Sequence, residues 1–576
     1  MAGGLRGAAA RRGLDASWAA LRVSPGLVVR VQDLTLRRRA DGDTLFRGDS
    51  LTVSLDPGSL LLLHPWPGRV VLAHARVHLS TRRGADADTL APEEFRAPRA
   101  RAGDAQRAER LRGVARSFVR LLAAPARSFP RLSLIDVWLT AGPRSAAGVQ
   151  GAAAAGLRLR RLELAPSRRG PRFEAAGSLL GEREVPFDVF LAYGLDDRLT
   201  GDARFDIPGV GRARREPLRI TVDGALSQDR NAGRVTFSDS TRVTIGALRL
   251  RLRGAIERSG PRFRIAVVGD SLTADQWRRS LPAVMLGPLA GLAVRGWYSQ
   301  RVSLDLDLAR PDRVEFAAAV VPHGLRIDPA ATRLELLGLD RPFVARIHLP
   351  HDRIVERDLS PANPHYRPLD AIDTLLVNAV VTNEDGAFFR HRGFNTEAVK
   401  GAIAANARAG AYRRGAGTIT MQLVRNLYLG HARTLSRKGQ EVVLAWVIEH
   451  LTGLTKERML EIYLNIIEWG PGIHGADEAA HYYFGHDAGH LSPDEALFLA
   501  TVVPAPTRWR NRFDADGALQ PFERAQMRFI GRAMVARNRL SPALLPEADA
   551  MHVELRGAAR NALLPSTEIH AETLPS

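Results

Sequence analysis

Residues 372–393 read IDTLLVNAVVTNEDGAFFRHRG. Ile372, Leu375, Leu376, Ala379 and Val380 recur at helical spacing and form one apolar stripe. The pattern predicts a helix that ends on the polar residues Glu384 and Asp385. Continued along the chain, the same spacing sets Glu384, Phe388 and His391 on one helix face. An aromatic ring beside a carboxylate lowers the local polarity and raises its pKa, which suits a general base. Taken alone, the block reads equally well as an ordinary polar helix end. Glu384 and His391 lack the compact histidine pair, one helical turn apart, of many zinc sites, so no metal is assigned to them.

The helical period continues downstream. Val443, Val447 and His450 share one side of a second helix, and Met459, Leu460, Tyr463 and Leu464 form the stripe of a third. Upstream the period is two. Leu51, Val53 and Leu55 alternate with Thr52 and Ser54, and Leu248, Leu250 and Leu252 alternate with arginines. Ala73, Ala75, Val77 and Leu79 follow the same rule, as do Val302, Leu304, Leu306 and Leu308. The chain is therefore expected to be multidomain. Residues 1–350 form a β-rich region of amphipathic antiparallel strands, interrupted by a mobile polar insertion near 81–110. Residues 351–368, with Pro361 and Pro364, form a connector. Residues 369–555 form a mainly α-helical domain, and 556–576 a tail. Residues 281–294, LPAVMLGPLAGLAV, are too few to span a bilayer, which takes about 20. They read as a buried turn-helix element, with a membrane-surface contact as the alternative.

The formal net charge of +19 favours an anionic partner: nucleic acid, an anionic membrane surface or a phosphorylated substrate. Charge alone does not choose among them. The basic residues are almost all arginine, and the lysines are Lys400, Lys438 and Lys456, all in the helical part. The absence of cysteine excludes disulfides, thiolate zinc sites and cysteine nucleophiles. Residues 1–30 show neither a signal peptide nor a transmembrane helix. Walker-type loops, HExxH and GxSxG are also missing.

Three further blocks follow the Glu384 block. Gly415-Ala-Gly417-Thr418-Ile-Thr420-Met421-Gln422-Leu-Val-Arg425-Asn426 offers small residues, hydroxyls, an amide and a cation, as a sugar-phosphate cradle does. The same glycine-threonine run also starts ordinary helices. Arg437-Lys438-Gly-Gln-Glu441 sets two cations one turn before a carboxylate; alone, it reads as an exposed ion pair. Lys456 to Asn465, leading into Glu468-Trp469-Gly470, reads mostly as helix core.

The order and spacing of EDxxFxxHxG, GxxTITxQ, RKxxE and KxxxLExYLN resemble the family 51 glycosyltransferases. These are the peptidoglycan polymerases found alone or fused to penicillin-binding transpeptidase domains. The resemblance covers residues 369–508, and NIIEWGPGIHG at 465–475 is nearer to the monofunctional members. Serine-lysine transpeptidase motifs do not follow it.

The resemblance implies a lysozyme-like transglycosylase fold and inverting polymerisation of lipid II with release of lipid pyrophosphate. It implies that Glu384 is the catalytic base and Glu441 the second essential glutamate, near the donor pyrophosphate. Asp385, Phe388, His391, Thr418, Gln422, Arg425, Asn426, Arg437 and Lys438 are the implied substrate-binding or cleft-shaping positions. Arg425 stands where the family usually has lysine. Gly417 stands in place of serine and Met421 in place of glutamine, and both changes are expected to remove a polar group from the donor side of the cleft. No cofactor is required; magnesium at the pyrophosphate is optional, since cationic side chains can replace it.

The partners implied are lipid II, nascent glycan, the membrane surface and other cell-wall synthesis proteins, but not nucleic acid. The place implied is the periplasmic face of the inner membrane. The anchor is expected either upstream of the given start or as a peripheral docking surface. More loosely, the N-terminal strands resemble AsmA-like envelope proteins, which implies either a lipid-holding groove or a β-rich spacer. Two other readings compete: a lytic enzyme that cleaves glycan, and a non-catalytic envelope scaffold that handles lipid.

Overall fold

The protein is described from a computed structural model. It describes residues 2–24, 27–56, 67–80, 103–123, 130–142, 156–167, 170–180, 184–193, 198–209, 215–229, 231, 233–258, 260–350, 353–431, 434–547 and 549–563. The chain divides into two compact units. One comprises Met1–Leu90, Gln106–Val284 and Gly296–Gly324; the other comprises Ala91–Ala105, Met285–Arg295 and Leu325–Ser576.

The first unit is built on one large β-sheet. Its strands are long because alternating residues leave one face apolar and the other wet over ten or more positions. Strand Val28–Arg38 pairs with Thr44–Leu55, which pairs with Pro67–Ser80, all antiparallel. From Arg131–Gly142 onward the antiparallel meander continues through Gly156–Ser167, Gly170–Leu180, Val185–Tyr193, Arg198–Pro208 and Arg215–Asp229. Leu248–Glu257 then pairs with Arg262–Leu272, and that strand with Val294–Asp307.

One pairing departs from the all-antiparallel expectation. Pro67–Ser80 and Arg131–Gly142 run parallel. Parallel neighbours need a long crossover, and residues 81–130 supply it. The polar stretch expected as a mobile insertion belongs to this crossover. Residues 81–102 lie outside the described residues, but 104–110 open the helix Asp104–Ala123 rather than a loop.

Local irregularities cross this part of the sheet. Asp33, His74 and Asp136 adopt positive φ (52°, 52° and 48°) on three separate strands, and the register of the pairings skips each of them. Arg158 and His74 both reach the Asp136 carboxylate, so the irregularity is tied across strands.

The second unit is mainly helical. Its helices include Thr374–Asp385, Thr396–Ala409, Ile419–Val424, Leu435–Leu451, Lys456–Ile466, Ala476–Phe484, Pro493–Val502 and Pro521–Val535. Hydroxyl or carboxylate N-caps start several of them: Asp373 accepts from Leu375 N–H, Thr434 from Arg437 N–H and Thr455 from Arg458 N–H. The core is continuous and rich in aromatic rings. Tyr483 packs edge-on against Trp509 and Phe498, and Phe388, Tyr463 and Trp469 are fully buried.

The boundary expected at 350/351 moves. Phe343–His348 and Ile354–Leu359 form a two-stranded antiparallel sheet inside the helical unit, so the expected connector is partly strand. Tyr366 and Arg367, farther along it, are fastened to the Lys456–Ile466 helix by the Tyr366 hydroxyl on Glu461 (2.6 Å) and the Arg367 N–H on Asn465 (3.1 Å). The apolar stretch 281–294 also contributes to this unit. It folds as short helical turns, Ala283–Leu286 and Gly287–Gly291, with Leu286 and Leu292 buried. Leu292 joins the core of the helical unit, and Gln440 Nε2 donates to Met285 O (2.8 Å). The buried turn-helix reading therefore holds for these two leucines, while Val284 stays exposed.

Glu523 is fully buried and bonded to Arg512 and to the Thr501 hydroxyl, and Arg512 also donates to Thr501 O. Removing the carboxylate leaves a buried guanidinium without its counter-charge. Glu523→Ala is expected to destabilise the helical unit by about 3–5 kcal/mol, read from its transition in urea unfolding. A loss under about 1 kcal/mol would show that the pair does not anchor the Pro521–Val535 helix.

Candidate active site

The Thr374–Asp385 helix delivers Glu384 in its last turn and stops at Gly386. Phe388 and His391 are therefore not on a helix face with Glu384, as the spacing predicted. The chain turns back instead, with Phe388 N–H on Asp385 O (2.8 Å), and His391 Nε2 meets Asp385 Oδ2 at 2.8 Å. Phe388 is fully buried, and the Lys456 ammonium lies 4.2 Å from its ring centre. Gly393 closes the turn at φ +92°, with a Cβ there meeting Trp446 Cα at 3.2 Å, so the motif's glycine is required by backbone shape and space.

Glu384 is partly exposed, and its carboxylate is held from the protein side. Gln422 Nε2 donates to Oε2 (2.7 Å) and Asn383 Nδ2 to Oε1 (3.2 Å). Asn383 also donates to Ala500 O at 2.9 Å, which fixes its amide. Gln422 is oriented in turn by Tyr463, whose hydroxyl donates to Gln422 Oε1 at 3.2 Å. Burial pushes the Tyr463 phenol well above its usual range, and the nearby Glu384 charge adds to the effect. Tyr463 therefore stays a neutral donor at any physiological pH. Sequence reading placed Tyr463 in a helix stripe and did not single out Asn383. The signal for Tyr463 was a phenol on a stripe otherwise made of methionine and leucine.

Glu441 lies on the Leu435–Leu451 helix and is almost fully buried. Arg437 Nη1 engages one carboxylate oxygen and Lys438 Nζ the other, the latter at 2.8 Å. The ion pair read from the spacing is formed, but around a buried carboxylate rather than on an exposed face. Lys438 keeps 43% of its side chain exposed. The cluster therefore shows positive charge to solvent while its negative partner is sunk beneath.

The short helix Ile419–Val424 connects these two poles. Thr418 caps it, accepting from Met421 N–H (3.2 Å) and donating to Gly393 O (2.9 Å) while fully buried. Thr418 thus shapes the site from beneath instead of facing solvent. Asp385 is also buried and accepts from Ile419 N–H at 3.3 Å. Farther along the same helix, Gln422 reaches Glu384. Just before it, a Cβ on Gly417 would stand 3.7 Å from Lys438 Nζ. Both carboxylates therefore flank one six-residue stretch, Gly417 through Gln422.

Thr420 turns inward to Glu449, which also pairs with Lys456 (2.8 Å). Burial holds the Lys456 pKa below its usual range. Met421 is buried in the apolar core, so its departure from glutamine takes no polar group from a solvent-facing surface. Arg425 is partly buried on a π-helical turn, Arg425–Leu429, and Asn426 beside it is buried. Arg425 Nε is buried without a hydrogen-bond partner among the described residues.

In sum, a carboxylate with fixed hydrogen-bond donors stands at one end of a short helix, and an arginine-lysine pair at the other. Such a pairing suits abstraction of a hydroxyl proton beside a leaving group that develops negative charge.

A family model described as Transglycosylase matches residues 352–531. A biosynthetic peptidoglycan transglycosylase of Paraburkholderia xenovorans (strain LB400) is 40% identical over 169 residues, covering 29% of this chain and 68% of the relative. The protein of that name from Ralstonia nicotianae (strain ATCC BAA-1114 / GMI1000) is 39% identical over 181 residues, 31% of this chain and 73% of the relative. One from Burkholderia cenocepacia (strain HI2424) is 38% identical over 198 residues, 34% and 75% of the two chains. The chain belongs to this transglycosylase family.

The two glycines make opposite predictions. Gly417→Ser has ordinary contact space beside Lys438 and is expected to change stability by no more than about 0.5 kcal/mol in thermal unfolding. Gly393→Ala meets backbone at positive φ and is expected to cost more than about 1 kcal/mol. Equal effects from the two would contradict the packing described for this site.

Proposed function

We propose that this chain is a peptidoglycan glycosyltransferase that polymerises lipid II into glycan strands by inverting transfer. The observation that carries the reading is the placement of Glu384 and the Arg437–Lys438–Glu441 cluster at opposite ends of the Gly417–Gln422 stretch.

In this mechanism Glu384 takes the proton from the 4-hydroxyl of the acceptor sugar. The freed oxygen attacks the anomeric carbon of the donor sugar, and the bond from that carbon to the lipid pyrophosphate breaks. Single displacement inverts the anomeric centre. The electron pair leaves on the pyrophosphate oxygen, whose charge Arg437, Lys438 and Arg425 meet. Glu441 holds the first two in place. Asp385, buried, with His391 bonded to it, and Phe388, Thr418 and Asn426 keep the turn and short helix in shape. Binding both sugars in one cleft contributes through orientation. Both Glu441 oxygens are engaged by cations, so no step is routed through magnesium.

A lipid-linked substrate places the enzyme at the periplasmic face of the inner membrane. Among the described residues no helix is long and apolar enough to cross a membrane. The exposed side chains of Phe389, Tyr412 and Val443, together with the net positive charge, support contact with an anionic membrane surface. The lysozyme-like label for the helical unit and the AsmA-like label for the strand unit belong to the same proposal. The long, one-sided apolar ladder supports the second.

Purified full-length protein supplied with lipid-linked disaccharide-peptide is expected to form glycan polymer. Glu384→Gln is expected to lower the rate by at least about a hundredfold. Wild-type polymerisation by this variant would remove Glu384 from the role of base. Tyr463→Phe is expected to lower kcat by about threefold to tenfold, from loss of one hydrogen bond of about 0.5–1.5 kcal/mol, with KM little changed. An unchanged kcat would show that the Gln422 amide is oriented without the phenol.

A further inference from the structure

A second cluster of chemistry-bearing side chains lies where the segment preceding the Glu384 helix meets the helix Ala476–Phe484. Asp477 and His481 are one helical turn apart and project from the same face. His365 comes from the preceding segment. Asn363 sets its position, accepting from His365 N–H (3.0 Å) and donating to Asp358 O (2.8 Å).

The Asp477 carboxylate is fully buried, and its two oxygens differ in what they meet. Oδ1 receives Arg367 Nε (3.1 Å) and Ala488 N–H (3.2 Å). Oδ2 faces the imidazoles, 2.9 Å from His365 Nδ1 and 3.6 Å from His481 Nδ1. His481 Nδ1 also lies 2.9 Å from the Asp477 carbonyl oxygen, a contact that fixes the orientation of the ring. The two rings are 5.4 Å apart and nearly perpendicular. Their side chains are 40% and 44% exposed, so an ion can reach them from solvent.

One ligand atom from each of the three residues lies within 4.8 Å of the others. A tetrahedral ion with bonds of about 2.0–2.2 Å holds its ligand atoms roughly 3.3 Å apart. Side-chain adjustments of about an ångström close that gap. We propose that His365, Asp477 and His481 form a binding site for a divalent transition-metal ion of the zinc type, with water as the fourth ligand.

Two imidazole nitrogens and one carboxylate oxygen select zinc-like ions over magnesium or calcium, which take oxygen ligands. The bound ion cross-links the preceding segment to a helix 112 residues away from His365 at Asp477. Sequence reading placed no metal here because the third ligand is so distant along the chain. The site is independent of the transferase assignment.

The test is calorimetric titration of tag-free, full-length protein with zinc chloride and, separately, magnesium chloride, paired with thermal unfolding. One zinc equivalent is expected, with no magnesium heat and a rise in Tm on loading. His365→Ala and His481→Ala are each expected to weaken zinc binding by at least about tenfold and to lose the zinc-dependent rise in Tm. His552→Ala, at an exposed position outside the cluster, is expected to bind as the parent does. Absence of zinc binding overturns the proposal. So does parent-like affinity in the His365 and His481 variants, or equal weakening in the His552 variant.

Discussion

The amide of Gln422 joins a fully buried phenol to a partly exposed carboxylate, and much of the helical unit converges on that bridge. An amide has a donor end and an acceptor end. Because the Tyr463 hydroxyl donates to Oε1, Nε2 must point at Glu384. Three elements are thereby locked in one relation: the end of the Thr374–Asp385 helix, the short Ile419–Val424 helix and the core of the Lys456–Ile466 helix. Asp385 strengthens the lock by accepting from the first N–H of the short helix, and Thr418 by bonding back to Gly393. A carboxylate that would otherwise sit on a fraying helix end is held at a defined angle and depth.

The other pole rests on burial of charge. Glu441 is out of solvent and satisfied by two cations, so the Arg437–Lys438 pair is fixed to the scaffold rather than waving from it. Fixed positive charge needs little reorganisation when a leaving group becomes negative, which is the source of most electrostatic acceleration. Gly417 leaves room for a side chain in ordinary contact with Lys438, and Met421 withdraws into the core. The two departures from the family pattern therefore have different physical consequences. One leaves room beside a cation, while the other repacks an apolar interior.

The helical unit is not assembled from one continuous stretch of chain. Residues 285–295 belong to it, Leu292 packs in its core, and the carbonyl of Met285 accepts from Gln440, the neighbour of Glu441. The helix that carries Glu441 is thus buttressed by a segment embedded in the strand-rich half of the sequence. This explains why that segment is apolar yet too short to cross a bilayer. Its leucines have a protein surface to fill.

The sequence by itself determined the periods, and hence the strand-rich and helical character of the two halves, because side-chain alternation is a local property. It also marked the candidate residues, since Glu384, Gln422, Arg437, Lys438 and Glu441 stand in ordered blocks. Only the tertiary structure decided how those residues meet. Gly386 stops the helix, so Phe388 and His391 reach their places by a turn and not by helical spacing. Asn383 and Tyr463 act through contacts with residues on other elements, which no spacing encodes. The parallel pairing across residues 81–130, the capture of 285–295 by the helical core, and the meeting of His365 with Asp477 share one reason. Each joins segments far apart in the chain, and such contacts are set by packing in three dimensions rather than by any pattern along it.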